Sequence, residues 1–74
     1  MEEAGEIEIL LKFGENLQKI REGKGLSLRE LAAIAGVEHA LIHRIEKGQT
    51  NTKLLTILRI ASALEIDPCK LLKY

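Results

Sequence analysis

Aromatic residues are almost absent from this chain, which has one phenylalanine, one tyrosine and no tryptophan among its 74 residues. Its core must therefore be aliphatic, and a domain this small buries only about 60–65% of the surface exposed by the unfolded chain. The single cysteine, Cys69, excludes an internal disulfide and favours a reducing cytoplasm. One proline and the lack of a long Gly/Ser tract exclude a flexible linker.

Long apolar runs are also missing, and none approaches the roughly 20 residues that a transmembrane helix needs. The N-terminus is acidic, so we expect no signal peptide with a basic first region. The sequence contains no glycine-rich phosphate loop and no carboxylate pair with a plausible cleft. We therefore expect one cytoplasmic domain that is not an enzyme, binds no cofactor or small molecule, and has Cys69 packed rather than reactive.

Net charge is zero, but the charges are unevenly distributed along the chain. Residues 1–15 contain five glutamates and one lysine, a net charge of −4, whereas residues 16–74 contain ten basic and six acidic residues, a net charge of +4. The larger segment is mildly basic, which permits a nucleic-acid partner without identifying one.

Apolar residues recur at helical spacing in the first third of the chain, at Ile7, Leu10, Phe13, Leu17 and Ile20. This spacing predicts a helix that ends near Glu22, with an interruption near Gly14 as one possibility and a short strand over residues 6–10 as the alternative. Gly23 and Gly25 are expected to end the helix with positive φ angles. Residues 1–5 are expected to be frayed.

The segment from Leu26 to Gly48 predicts two short helices joined by a turn at Gly36. The first begins with an S-x-x-E capping box at Ser27 and Glu30. Its apolar face has the spacing i, i+3, i+4, i+7 and comprises Leu28, Leu31, Ala32 and Ala35. The second runs from near Glu38 to Lys47, with Val37, Ile42 and Ile45 inward and His39, Ala40, His43, Arg44 and Lys47 outward. Such a helix-turn-helix can lay one helix into the DNA major groove.

Two further helices are predicted after a polar loop at residues 49–52. The fourth covers roughly residues 53–64, and its expected core face is Leu54, Ile57, Leu58, Ala61 and Leu64, with Leu55 and Ile60 as additional apolar surface. Asp67 and Pro68 predict an N-cap and a first helical position for a short fifth helix that extends through Leu71 and Leu72. The predicted fold class is all-α, with five helices.

Two motifs then carry a family resemblance: L-A-x-x-A-G-V at residues 31–37 and R-I-E-x-G at residues 44–48. With Gly14-Glu15-Asn16-Leu17, Ile20-Arg21 and the SLRELA run, they make residues 13–73 resemble the Cro/phage-repressor type of helix-turn-helix, the XRE family of bacterial regulators. The resemblance implies a compact lambda-repressor-like fold, in which helices 2 and 3 form the helix-turn-helix. It implies a sequence-specific transcriptional regulator, expected to be a repressor, that binds double-stranded DNA as a homodimer. Residues 1–12 would be an acidic, helical N-terminal extension and residues 13–74 the DNA-binding domain.

Roles for individual residues follow from the same resemblance. Base contacts are implied for His39, Ala40, His43 and Arg44. Phosphate contacts are implied for Ser27, Arg29, Lys47, Gln49, Thr50, Asn51 and Lys53. Arg21 and Glu46 are implied to form a mostly buried ion pair between the first helix and the end of the third. The candidate dimer patch comprises Leu55, Ile66, Leu72 and Tyr74, with the segment Ile7–Leu11 as the alternative.

Three positions depart from the family pattern. Leu28 stands where many members have a phosphate-binding glutamine, Glu38 replaces a capping serine or threonine and would repel a phosphate, and Leu41 occupies a commonly polar position. Together with Leu55, the two leucines also suit a second interpretation, a protein-interaction module or antitoxin-like partner protein that retains the fold. His39 and His43 have the i, i+4 spacing of zinc ligands, but no third ligand is evident, so we expect no metal.

Overall fold

Five helices make up the chain in the computed structural model, which describes residues 3–73. They are α1 (Glu3–Gly23), α2 (Leu28–Ala35), α3 (His39–Glu46), α4 (Leu54–Ala63) and α5 (Pro68–Leu72). No strand occurs in this part of the chain, and the predicted all-α fold class is confirmed. Of these helices, none is long and apolar enough to cross a membrane.

Helix α1 is continuous through Gly14, so the predicted interruption and the alternative strand are both wrong. It already includes residues 3–5, which were expected to be frayed, while residues 1 and 2 lie outside the described part. Residues 3–12 of the acidic extension therefore belong to α1. Gly23 is the last residue of the helix, and of the two glycines only Gly25 has a positive φ, of 73°.

The middle of α1 lies against the C-terminal end of α3 at unusually short range. A Cβ atom at Gly14 would overlap the carbonyl oxygen of Ile45 and lie 2.8 Å from the carbonyl carbon of Glu46. One turn earlier, Leu11 approaches Gly48, where a Cβ would lie 3.0 Å from the Leu11 Cα. Gly48 also has a φ of 70°, so both its conformation and its surroundings favour glycine. Two glycines therefore set the distance between α1 and α3.

Helix α2 begins and ends as the sequence predicts. The Ser27 hydroxyl accepts a hydrogen bond from the Glu30 backbone N–H at 3.0 Å, and the Glu30 carboxylate accepts one from the Ser27 N–H at 2.9 Å. The hydrogen bond from the Ser27 backbone N–H, together with the Ser27 hydroxyl, holds the pKa of the Glu30 carboxyl below its ordinary value. Gly36 follows the helix with φ 73° and ψ 34°, which turns the chain towards α3.

The predicted core face of α4 is partly wrong. Leu54 and Leu58 are 68% and 42% exposed, whereas Ile60 is fully buried. The buried or core-packed residues of this region are Ile57, Ile60, Ala61 and Leu64, which again follow the spacing i, i+3, i+4, i+7. The sequence contains two overlapping apolar stripes, and spacing alone could not decide which of them faces α2 and α5.

Helix α5 is capped at both ends by side chains. The Asp67 carboxylate accepts a hydrogen bond from the Cys69 N–H at 2.9 Å, as its predicted N-cap role requires. At the other end, Asn16 Nδ2 of α1 donates to the carbonyl oxygens of Lys70 and Leu71, each at 2.9 Å. Cys69 itself is exposed, so the prediction that it packs is wrong. The hydrogen bond with Asp67 raises the pKa of the Cys69 thiol.

The core is aliphatic apart from Phe13, as the scarcity of aromatic residues requires. Every helix contributes to it. Its members are Phe13, Leu17, Leu31, Ala32, Ala35, Ile42, Ile45, Ile60, Ala61, Leu64 and Leu71.

Replacement of Gly14 by alanine should lower the free energy of unfolding by about 3 kcal/mol, because the added methyl group overlaps the backbone of α3 and forces the two helices apart. Urea denaturation followed by circular dichroism measures the change. Gly23→Ala is the matched control, since nothing lies within 4 Å of its Cβ position and the change should be neutral or stabilising. Equal stability of the two variants would contradict the close helix contact.

Candidate nucleic-acid interface

A buried ion pair joins three segments around the helix-turn-helix. Arg21 Nε donates to Glu46 Oε2 at 2.7 Å, and Arg21 Nη2 donates to Glu46 Oε1 at 3.1 Å, a two-bond geometry that is stronger than a single contact. The third nitrogen, Nη1, donates to the carbonyl oxygen of Leu26 at 2.7 Å. The guanidinium thus connects the end of α1, the segment before α2, and the end of α3.

The pair is almost completely removed from solvent, with the side chains of Arg21 and Glu46 9% and 3% exposed. The hydrogen bond with Glu46 raises the pKa of Arg21, although burial acts in the opposite direction. A buried pair of this kind fixes an arrangement more clearly than it adds net stability, because desolvation offsets much of the attraction. The last residue of α3 is therefore held in one orientation relative to α1.

Helix α3 is divided into a buried face and an exposed face. Ile42 and Ile45 are 0% and 1% exposed and belong to the core. His39, His43 and Arg44 are exposed, and Ala40 is half-buried. The four candidate base-contacting residues thus lie on the part of α3 that is not in the core, with only Ala40 partly covered.

The two leucines at commonly polar positions lie only partly on the surface. Leu28 and Leu41 are half-buried and pack against the core cluster. Part of each of these side chains is therefore covered by the core rather than exposed. Because both side chains face inward, they give little support to an additional protein-binding surface at α2 and α3.

A cleft of about 320 Å³ lies between α2 and the N-terminal end of α3. Both apolar and polar side chains line it. The lining residues are Arg29, Ala32, Ala33, Val37, Glu38, His39 and Ala40. The structure therefore brings Arg29, a candidate phosphate contact, to the same cleft as His39 and Ala40. Sequence reasoning missed Ala33, although its i+4 spacing from Arg29 places both residues on one face of α2.

The remaining candidate phosphate contacts occupy different surroundings. Lys47, Gln49 and Lys53 are exposed in the connection between α3 and α4, while Thr50 is half-buried. Ser27 is exposed, but its hydroxyl already caps α2. Asn51 lies away from the cleft just described and lines another one with three residues of α1, namely Glu6, Ile9 and Leu10.

The candidate dimer patch is only partly on the surface. Leu55 and Leu72 are 60% and 54% exposed, whereas Ile66 is half-buried and packs against the core. Tyr74 lies outside the described residues. Leu54 and Leu58, which had been expected in the core, are instead exposed. We call the three exposed side chains Leu54, Leu55 and Leu58 of α4 the leucine surface. The alternative segment also has exposed apolar residues, Ile7, Ile9 and Leu11.

Metal ligands do not gather around α3. Within residues 3–73, no group of three or more His, Cys, Asp and Glu side chains could hold a metal ion. Within these described residues, His39 and His43 therefore do not belong to any three-ligand cluster.

Comparison with known proteins identifies the same domain. A helix-turn-helix family profile matches residues 17–71. The HTH-type transcriptional repressor RghR of Bacillus subtilis is 44% identical over 55 residues, which are 73% of this chain and 41% of the relative. An uncharacterized HTH-type transcriptional regulator of Haemophilus influenzae is 36% identical over 63 residues, 85% of this chain and 64% of the relative. The chain thus spans between about two fifths and two thirds of these curated relatives.

Solved structures agree with the sequence relatives. The restriction-modification controller protein C.AhdI from Aeromonas hydrophila superposes with a TM-score of 0.83 at 42% identity, covering 84% of this chain and 94% of the controller protein. An HTH_3 family transcriptional regulator from Vibrio cholerae gives a TM-score of 0.85 at 29% identity, covering 89% of this chain and 37% of that protein. The fold is therefore that of a helix-turn-helix regulator.

Substitution of one member of the buried pair, by Arg21→Met or Glu46→Gln, should lower the free energy of unfolding by about 3–5 kcal/mol, because the remaining group loses its partner inside the protein. Chemical denaturation measures this loss. The double variant Arg21→Met/Glu46→Leu should lose less than either single variant. As a control, Glu22→Gln should cost under about 1 kcal/mol, since Glu22 is 60% exposed and 3.8 Å from Arg21. A double variant less stable than both single variants would contradict this account.

Proposed function

The chain belongs to the helix-turn-helix family of XRE-type transcriptional regulators, which are not enzymes, and we propose that it binds double-stranded DNA with α3 in the major groove. One observation carries the proposal. Helix α3 packs into the protein through Ile42, Ile45 and the buried Glu46, and its opposite face is polar and exposed. A rigid helix with one free polar face is what base recognition in the major groove requires.

Base recognition is assigned to the exposed face of α3. An eight-residue helix is about 12 Å long, comparable with the width of the major groove. Arg44 can donate two hydrogen bonds to guanine O6 and N7, and His39 and His43 can bond to base edges. Ala40, which is half-buried, can offer only its methyl group to a thymine methyl. Arg44 therefore supplies the largest single contribution to sequence preference.

Phosphate contacts are assigned to side chains on both sides of α3. Arg29 lies on the α2 side, while Lys47, Gln49 and Lys53 lie on the α4 side, and all four are exposed. Ser27 and Thr50 are weaker candidates because one is engaged in a cap and the other is half-buried. Asn51 is weaker as well, because it lies in a cleft against α1. Release of counterions from the phosphates makes such contacts sensitive to salt.

We assign self-association to the leucine surface. Leu58 is four residues from Leu54 and three from Leu55 on α4, so its exposed side chain can neighbour each of the other two. Exposed apolar surface of this kind marks contact with another protein. In a homodimer, the two copies of α3 would reach half-sites about 10–10.5 base pairs apart on a palindromic operator. The similarity to a repressor of Bacillus subtilis supports repression as the outcome.

The leucine surface also supports a second candidate function, a protein-interaction module or antitoxin-like regulator that uses the same leucines to hold a different partner protein. The two functions differ in what α3 must do. An interaction module needs no free polar helix face, whereas a DNA-binding protein cannot lack one. DNA binding by the isolated chain therefore separates the candidates.

The chain should bind a random pool of double-stranded DNA at about 50 mM salt, with an affinity that falls steeply as salt rises. Fluorescence anisotropy measures this binding. On a duplex selected from that pool, Arg44→Ala should bind about tenfold or more weakly, because a bidentate guanine contact is worth about 1–3 kcal/mol. Arg59→Ala, which removes an exposed arginine of α4, should change affinity less than twofold. Absence of binding at low salt would overturn the DNA proposal and favour the interaction module.

Leu55→Lys should shift the chain from dimer towards monomer, since it places a charge on the leucine surface. Sedimentation velocity over a range of concentrations measures the change. Ile34→Lys is the matched control, because Ile34 is exposed to a similar extent, 59%, but lies on α2. A wild-type chain that remains monomeric at high concentration would refute this assignment.

A further inference from the structure

Glu38 occupies the N-cap of α3 but does not cap the helix. Its backbone is extended, with φ −77° and ψ 141°, as an N-cap requires, yet its side chain makes no capping hydrogen bond. Serine or threonine at such a position stabilises a helix relative to a residue that cannot cap. The end of the helix that faces the proposed DNA partner therefore lacks a local stabilising contact that the neighbouring α2 has.

The carboxylate of Glu38 is also free of other partners within residues 3–73, where ion pairs involve only Glu8, Glu22 and Glu46. Glu38 is exposed at the edge of the α2–α3 cleft, together with Arg29 and His39. A residue that breaks a local rule without compensation inside the fold indicates a role outside it. The side chain is available to a ligand that enters along the first turn of α3.

The four bases present different hydrogen-bond donors and acceptors to a carboxylate in the major groove. An ionised carboxylate only accepts hydrogen bonds. Cytosine presents an N4 amino donor, whereas guanine presents the acceptors O6 and N7 and thymine presents the acceptor O4. Adenine presents an N6 donor, but its N7 acceptor lies beside it. Cytosine is therefore the base from which a carboxylate best accepts a hydrogen bond.

We infer that Glu38 is a specificity-determining residue, whose carboxylate accepts a hydrogen bond from cytosine N4 at one position of each half-site. The inference rests on the proposed function, because it needs α3 in the major groove. It changes the role of Glu38 from a residue that only repels phosphate to one that selects a C·G pair. Glu38 leaves the N-terminal end of α3 without a side-chain cap and repels nearby phosphates, but it discriminates against guanine and thymine.

The cytosine preference of Glu38 is tested with the full chain and a duplex that the wild type selects from a random pool. In four versions of that duplex, the pair nearest the first turn of α3 is changed in turn to C·G, A·T, G·C and T·A. Anisotropy should show that the wild type prefers cytosine by about tenfold. Glu38→Gln should prefer adenine there, because glutamine pairs with adenine N6 and N7. Glu65→Gln, which removes the same charge from the turn after α4, should retain the cytosine preference.

A third variant tests the link to the missing cap. Glu38→Ser should unfold at a higher temperature than the wild type, because serine can cap α3, and it should lose the cytosine preference. If Glu38→Gln and Glu38→Ser bind all four duplexes more tightly with the wild-type order of preference, Glu38 acts only by repulsion and the inference is overturned. If the wild type binds no duplex even at low salt, the proposed function fails and the inference fails with it.

Discussion

The arrangement of this domain depends on the ion pair between Arg21 and Glu46, which holds the end of α3 against α1 with two hydrogen bonds and reaches the chain before α2 with a third. Its surroundings exclude water, so neither charge can be satisfied elsewhere without a large rearrangement. The pair acts as an orientational constraint, while the backbone contact at Gly14 acts as a distance constraint. Together they determine which side chains α3 can present to solvent.

Both constraints act at the C-terminal end of α3, whereas the candidate base-contacting residues extend along its exposed face from His39 to Arg44. Glu46 and the carbonyl of Ile45 meet α1 at the C-terminal end. The α2–α3 cleft, which Glu38 lines, opens at the N-terminal end of α3. The Glu38 side chain makes no capping hydrogen bond there. Helix α3 is therefore held at its C-terminal end, while its exposed face can contact a partner. This division is consistent with a scaffold that tolerates many different contact residues on one helix.

Features fixed by local chemistry could be predicted from the sequence, because they depend on residues a few positions apart. The capping box of Ser27 and Glu30, the turn at Gly36 and the Asp67-Pro68 start of α5 are of this kind. Predictions failed where two apolar faces compete, as at Leu54 and Ile60. Packing then depends on which helices meet, and this information lies in contacts between distant segments. The α2–α3 cleft was missed for the same reason.

The two hydrogen bonds from Asn16 to the last carbonyls of α5 have a consequence for the order in which the fold assembles. They span 54 and 55 positions in sequence, and a helix of five residues has no independent stability in water. Helix α5, which supplies the fully buried Leu71, can therefore form only after α1 is in place to receive it. During synthesis on the ribosome, the core stays open on that side until residue 71 has emerged, so closure of the domain is one of the last events of its folding.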